Sequence, residues 1–244
     1  VGSEMCIRDS SIVIDTRVPT GLTLDPVAGD GTINAAEAAS TVLTGKAEPN
    51  ATVTIDLGTG TPRTVQADAD GNWSFPLGAA DVATMGEGSQ TLKVTQTDDA
   101  GNSSPAVEQT ITIDTALPQG LTLDTVAGDN FINASEAGST VLTGKAEPLA
   151  SVHIDLGGNV AATVTADDQG NWSYPITAAV LAAVGEGAKT ITLTQSDAAG
   201  NTSAPVTQAI TVDTVAPQNL KISDIVTLGL SLIHISEPTR PLYI

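Results

Sequence analysis

Asp15-Thr16, Asp114-Thr115 and Asp213-Thr214 stand 99 residues apart, and most of what lies between them keeps the same spacing. Laying 15–113 over 114–212 needs no gap, and 60 of the 99 positions are identical. Trp73 falls on Trp172, the run from Leu43 to Pro49 on that from Leu142 to Pro148, and Asp98 with Asn102 on Asp197 with Asn201. A fixed period of this length marks a tandem array whose units each carry a core and touch only their neighbours. The array comprises a first repeat at 11–113, a second at 114–212, and a linker with the start of a third at 213–229. Such an architecture suits a stalk or spacer better than a catalyst, which has little use for near-copies in series.

The two ends stand outside the period. Residues 1–10 and 230–244 have no counterpart in the array, and both resemble translated sequencing-adapter reads, so they are set apart from fold reasoning. Cys6, the single cysteine of the chain, lies in the first of them, which removes the obvious candidate for a reactive thiol.

The remainder is acidic, with most of the chain's net charge of −19, and is rich in Thr, Val, Ala, Gly and Asp. No basic patch offers itself to nucleic acid. No apolar run approaches the ~18–20 residues of a membrane helix, so no membrane span is expected in this fragment. Hydrophobic content of 41% and regular alternation argue against disorder. A unit of this size has room for one core but no disulfide to staple it, and its surplus of carboxylates suggests that a metal stiffens it instead.

Period-two alternation recurs in short Thr/Val/Ile-rich runs bounded by Gly, Asp, Asn or Pro. In the first unit these are 21–24, 41–47, 52–57, 63–67, 72–77, 90–97 and 107–113. About seven strands per unit predict an all-β fold of tandem immunoglobulin-like antiparallel β-sandwiches. The Ala-rich stretches 79–84 and 178–183 add one short helical turn per repeat. Trp73 and Trp172 begin strands and are expected in the core, since a sugar-stacking platform would need further exposed aromatics.

Strand order then places the acidic loops. At the N-terminal pole of the first unit it gathers Asp15, Glu48, Asp98 and Asn102, and at that of the second Asp114, Glu147, Asp197 and Asn201. Across the seam, the first unit offers Asp25, Asp30, Asn34, Glu37 and Glu87. Carboxylates converging on one seam repel unless a cation intervenes, and oxygen donors without His or Cys suit Ca²⁺. A looser Ca²⁺ loop is a second possibility, through Asp30, Asn34 and Glu37 and their copies Asp129, Asn133 and Glu136; otherwise Asn34 simply caps a helical turn. The linkers are four or five residues long and contain Pro19, Pro118 and Pro217, which forces neighbouring poles together. Adjacent repeats of the same chain are therefore the expected partners.

Catalysis finds little footing. His153 is the only His of the array, and Thr54 takes its place in the first unit. No nucleophile with a base beside it is apparent, and no Gly-rich phosphate loop opens a helix.

Four motifs occur in both units: Asp-Thr-x-x-Pro from Asp15, Thr-Gly-x-Ala-Glu-Pro from Thr44, Ala-Asp-x-x-Gly-Asn-Trp-Ser from Ala67, and Asp-x-Ala-Gly-Asn-x-Ser from Asp98. With these the region 12–226 resembles bacterial Ig-like extender repeats of giant, type I-secreted, biofilm-associated surface adhesins. The resemblance implies a non-enzymatic, extracellular spacer at the bacterial cell surface or secreted, stiffened by Ca²⁺. Glycans or proteins would then be met through distal domains. Arg17 and Leu117 replace smaller linker residues, and Asp70 becomes Gln169, which puts a metal role for Asp70 in doubt. Two other readings stay open: a carbohydrate- or protein-binding module that uses the variable hairpins 58–63 and 157–162, and an accessory module of a secreted polysaccharide-active enzyme.

Overall fold

The structure is a computed structural model that describes residues 14–216. Both foreign-looking ends, Cys6 and the part of the third-repeat start beyond 216 lie outside the described residues. The first unit runs β1 (Thr32–Asn34), β2 (Val42–Lys46), β3 (Thr52–Asp56), β4 (Arg63–Gln66), β5 (Asn72–Pro76), α1 (Ala79–Met85), β6 (Gly88–Thr97) and β7 (Val107–Asp114). The second repeats this as β8 (Phe131–Asn133), β9 (Val141–Lys145), β10 (Ser151–Asp155), β11 (Ala161–Thr165), β12 (Asn171–Pro175), α2 (Ala178–Val184), β13 (Gly187–Ser196) and β14 (Val206–Asp213), with a 3-10 turn at Val126–Gly128.

Each unit packs a five-stranded sheet on a two-stranded one. The orders are β1-β7-β6-β3-β4 against β2-β5, and β8-β14-β13-β10-β11 against β9-β12. The result is the all-β, immunoglobulin-like sandwich that the alternation predicts. Val53 and Ile55 of β3, Leu92 and Val94 of β6, and Ile111 and Ile113 of β7 face Leu43 of β2 and Trp73 of β5, all buried. Burying each such aliphatic side chain contributes about 1.5–3 kcal/mol. The alternate residues of the same strands, such as Thr52 and Thr110, face water.

Trp73 is 2% exposed, and its indole N–H donates to the carbonyls of Thr23 and Lys46, each at 3.2 Å. It belongs to the core. Gly45 beneath it has no room for a side chain, since a Cβ would sit 2.1 Å from the Thr23 carbonyl oxygen and 2.8 Å from Trp73 Cζ2.

The Ala-rich segment forms α1, one residue longer than the sequence suggests. It buries Val82 and Met85 and ends at Gly86 with φ 81°. The Asp81 carboxylate receives the Arg63 guanidinium at 2.6 Å, which ties α1 to β4.

Two expectations need correcting. The run 21–24 is not a ladder strand: Thr23 N–H donates to the Lys46 carbonyl at 2.8 Å, but Lys46 N–H donates to Thr23 Oγ1 at 2.9 Å. The threonine hydroxyl takes the place of the backbone acceptor, so the segment lies along β2 without forming a regular pair. Conversely, the supposed loop 29–37 contains β1, which pairs in parallel with β7 and sets Ile33 beside Ile113. The large sheet is therefore mixed rather than wholly antiparallel.

Candidate functional site at the repeat joint

The strand order brings the linker, the loop after β2 and the loop after β6 to one pole. In the second unit the Asn201 side-chain amide donates to the Asp114 carbonyl at 2.9 Å and to Asp197 Oδ2 at 2.9 Å. Asp197 Oδ1 accepts Asn201 N–H at 2.9 Å, and Glu147 Oε2 accepts Gln119 N–H at 3.2 Å. The first unit shows the same pattern: Asn102 donates to the Asp15 carbonyl at 3.1 Å and to Asp98, and Glu48 Oε1 accepts Thr20 N–H at 2.9 Å. The Asn102 amide holds the Asp98 carboxyl below the usual aspartate range, helped by the Asn102 backbone N–H.

The opposite pole anchors the outgoing linker. Glu87, in the loop after α1, accepts Thr115 N–H at 3.0 Å and also the Thr115 hydroxyl. Glu186 does the same for Thr214, whose hydroxyl lowers the Glu186 pKa.

Asn34 and Asn133 cap helical turns. Asn34 Oδ1 accepts the N–H groups of Ala36 and Glu37 at 2.9 and 3.1 Å, and Glu37 Oε2 returns a bond to Asn34 N–H at 3.2 Å, a reciprocal capping box. Asn133 accepts Ser135 N–H, and Glu136 accepts Asn133 N–H. Asp30 and Asp129 accept from their own turns, through Thr32 N–H and Phe131 N–H. Asp25 is turned onto the small sheet, where it accepts the Thr44 hydroxyl at 2.8 Å.

Beyond those to the linker and the end of β7, two bonds cross the seam between the units. Ala35 N–H donates to Asn201 Oδ1 at 2.8 Å, and Asn34 Nδ2 donates to the Ala199 carbonyl at 3.2 Å. The covering is visible in burial: Asn201 is buried where its copy Asn102 is half-buried, and Asn34 is half-buried where Asn133 is exposed.

For a metal the arrangement is incomplete. Asp15, Glu48, Asp98 and Asp99 line one cavity of about 440 Å³ at the first unit's pole. Yet among the described residues no group of three or more His, Cys, Asp or Glu is arranged to hold a metal ion. Rim-sharing and ligand geometry are different things, and the second decides coordination. As placed, the carboxylates serve backbone N–H groups of their own loops and of the incoming linker, and the donor set does not fit a bound ion.

Gln96 and Gln195 are the residues that the sequence reading missed. Both are fully buried. Gln195 Oε1 accepts Glu147 N–H at 2.8 Å while its Nε2 donates to the Gln119 carbonyl at 3.0 Å, and Gln96 joins Glu48 and Thr20 likewise. The available signal was a glutamine in the inward phase of Leu92, Val94, Gln96. His153 is exposed on its strand, bonded to Thr163 Oγ1 at 3.1 Å.

Among solved structures, the chain is 31% identical to one described as a Ca²⁺-stabilized adhesin that helps an Antarctic bacterium reach out and bind ice. That match has a TM-score of 0.47 and covers 83% of this chain and 51% of that one. A second, a 1.5-MDa bacterial ice-binding adhesin, is 23% identical with a TM-score of 0.43, covering 83% of this chain and 67% of that one. A bacterial immunoglobulin-like domain from the M. primoryensis ice-binding adhesin is 28% identical over 40% of this chain and all of its own length, with a TM-score of 0.31. The chain thus spans about half the length of the first of these structures. No curated protein matches it. A family model for the bacterial Ig domain matches residues 29–113 and again 129–213. With both units matched, the chain belongs to the bacterial Ig domain family.

Proposed function

We propose that the chain is a spacer segment of a bacterial surface adhesin, a non-enzymatic array that holds a binding domain away from the cell in the extracellular space. The observation that carries this reading is the linker held from both sides: Thr115 by Glu87 of the first unit, and Asp114 and Gln119 by Asn201 and Gln195 of the second. Relative motion is the default between domains that share no large apolar interface, and fixing a connector by several directed bonds is the requirement of a stalk. The family and the seam motifs support the same reading. Probing a glycan array with the repeat pair tests it: no binding is expected, and saturable binding to a defined glycan would favour the binding module instead.

Calcium stiffening is a second proposal. Its support is the cavity rimmed by Asp15, Glu48, Asp98 and Asp99 and its all-oxygen chemistry. Binding would require these loops to draw together. At the seam the corresponding donors are Asp114, Glu147, Asp197 and Asn201; the turn donors are Asp30, Asn34 and Glu37, with Asp129, Asn133 and Glu136. Calorimetric titration with CaCl₂ separates the outcomes. Saturable heat with a raised Tm supports the ion, and a flat titration with unchanged Tm ends the proposal.

A further inference from the structure

We infer that the joint between repeats is a direct plug and socket that fixes their orientation without a cation. The plug is the capped turn at the far pole of one unit. Its Asn34 Oδ1 is occupied by the turn's own N–H groups, so Nδ2 faces outward and donates to Ala199, and the adjacent Ala35 N–H donates to Asn201. The socket is the loop after β13. Asn201 Nδ2 is committed to Asp114 and Asp197, which leaves Oδ1 aimed at the incoming Ala35 N–H. The plug is oriented by bonds inside its own unit, and the socket by Asp197 of its own loop together with the carbonyl of Asp114 at the end of β7, so Asn201 Oδ1 is already set for the incoming turn.

The pairing is directional. The plug presents two donors and the socket two acceptors, so a unit fits its neighbour only head to tail. Among the described residues the outer poles carry the unmatched halves. Among the described residues Asn133 Nδ2 and Ala134 N–H have no acceptor, and Asn102 Oδ1 and the Ala100 carbonyl have no donor. The partner that each fits is another repeat of the same loop chemistry: a capped Asn-Ala turn before Asn102, an Ala-Gly-Asn loop after Asn133.

Two substitutions remove the plug's donors while keeping its cap. Asn34→Asp retains a side-chain acceptor of equal capping strength but replaces the Nδ2 donor with a second oxygen. Ala35→Pro deletes an N–H at the first helical position, where proline is well accommodated, and the extended backbone that it imposes on residue 34 is that of a cap. The test is the measurement of residual dipolar couplings on the full chain in excess EDTA. In the unaltered chain the two units should share one alignment tensor. In Asn34→Asp/Ala35→Pro the shared tensor should be lost while each unit keeps its own spectrum. Asn133→Asp/Ala134→Pro, the same change at the unmatched pole, should leave the shared tensor intact. A shared tensor that survives in the first variant overturns the inference, and so does an unaltered chain whose units align independently in EDTA. Calcium binding is read separately by calorimetry, so either proposal can fail alone.

Discussion

The Gln195 side chain spans from the core to the linker, donating its Nε2 to the Gln119 carbonyl at 3.0 Å while fully buried. A buried amide with both ends used fixes the loop after β9 and the incoming chain to the same strand. Gln195→Ala leaves the Glu147 N–H and the Gln119 carbonyl without this partner and should cost about 1–3 kcal/mol. Urea unfolding of the second unit checks the value. A loss within error of zero would mean that the linker is held elsewhere.

Gly45 and Gly144 let the small sheet lie against the chain before it. A Cβ on Gly144 would fall 2.1 Å from the Thr122 carbonyl oxygen. Overpacking of this kind typically costs about 1–3 kcal/mol, and here the obstacle is backbone, so Gly144→Ala belongs at the upper end. Calorimetry should show the second unit melting early while the first keeps its transition, as expected when each repeat has its own core. A single undivided transition at the original temperature would count against the packing described.

Acid should weaken the fold through a few identifiable loops. The Asn102 amide lowers Asp98 from the ordinary 3.8, Asn72 lowers Asp68, Asn171 lowers Asp167, and the Thr214 hydroxyl lowers Glu186 from 4.5. A carboxylate held below its unfolded pKa contributes stability that is complete above the unfolded value and is lost as pH falls through the folded one. Tm should be level from neutral pH to about 4.5 and decline below it. Asn102→Ala should shallow the acid limb relative to the unaltered chain, and an identical limb would remove Asp98 from the account. At the other extreme Glu108 raises Lys93 above 10.5, a contribution present below that value and lost only above the raised pKa.

Glu87 fastens Thr115 to the unit that the linker is leaving. Glu87→Ala should free the first residues of the linker without opening the core. Limited proteolysis measures this as faster cleavage between 114 and 118, with both units surviving as fragments. Cleavage at the original rate would show that the bond is dispensable.

Much of this was legible before the structure. The 99-residue period, strands β2 to β7 and the meeting of Asp15, Glu48, Asp98 and Asn102 at one pole follow from alternation and strand order. The strand β1 was hidden because three residues with one apolar side chain, Ile33, give no periodicity, and its partner β7 is 80 positions away by register. The run 21–24 misled in the opposite direction, since a threonine hydroxyl can stand in for a ladder acceptor without altering the sequence pattern. The role of Asn34 depends on which unit follows it. Asn133 has the same local sequence logic and caps the same turn, yet crosses no seam among the described residues.

The most direct measurement is small-angle scattering of the chain in excess EDTA. The account predicts a profile fitted by one arrangement of the two units, with Ala35 against Asn201. A profile that only an ensemble of differently bent pairs can fit would contradict it.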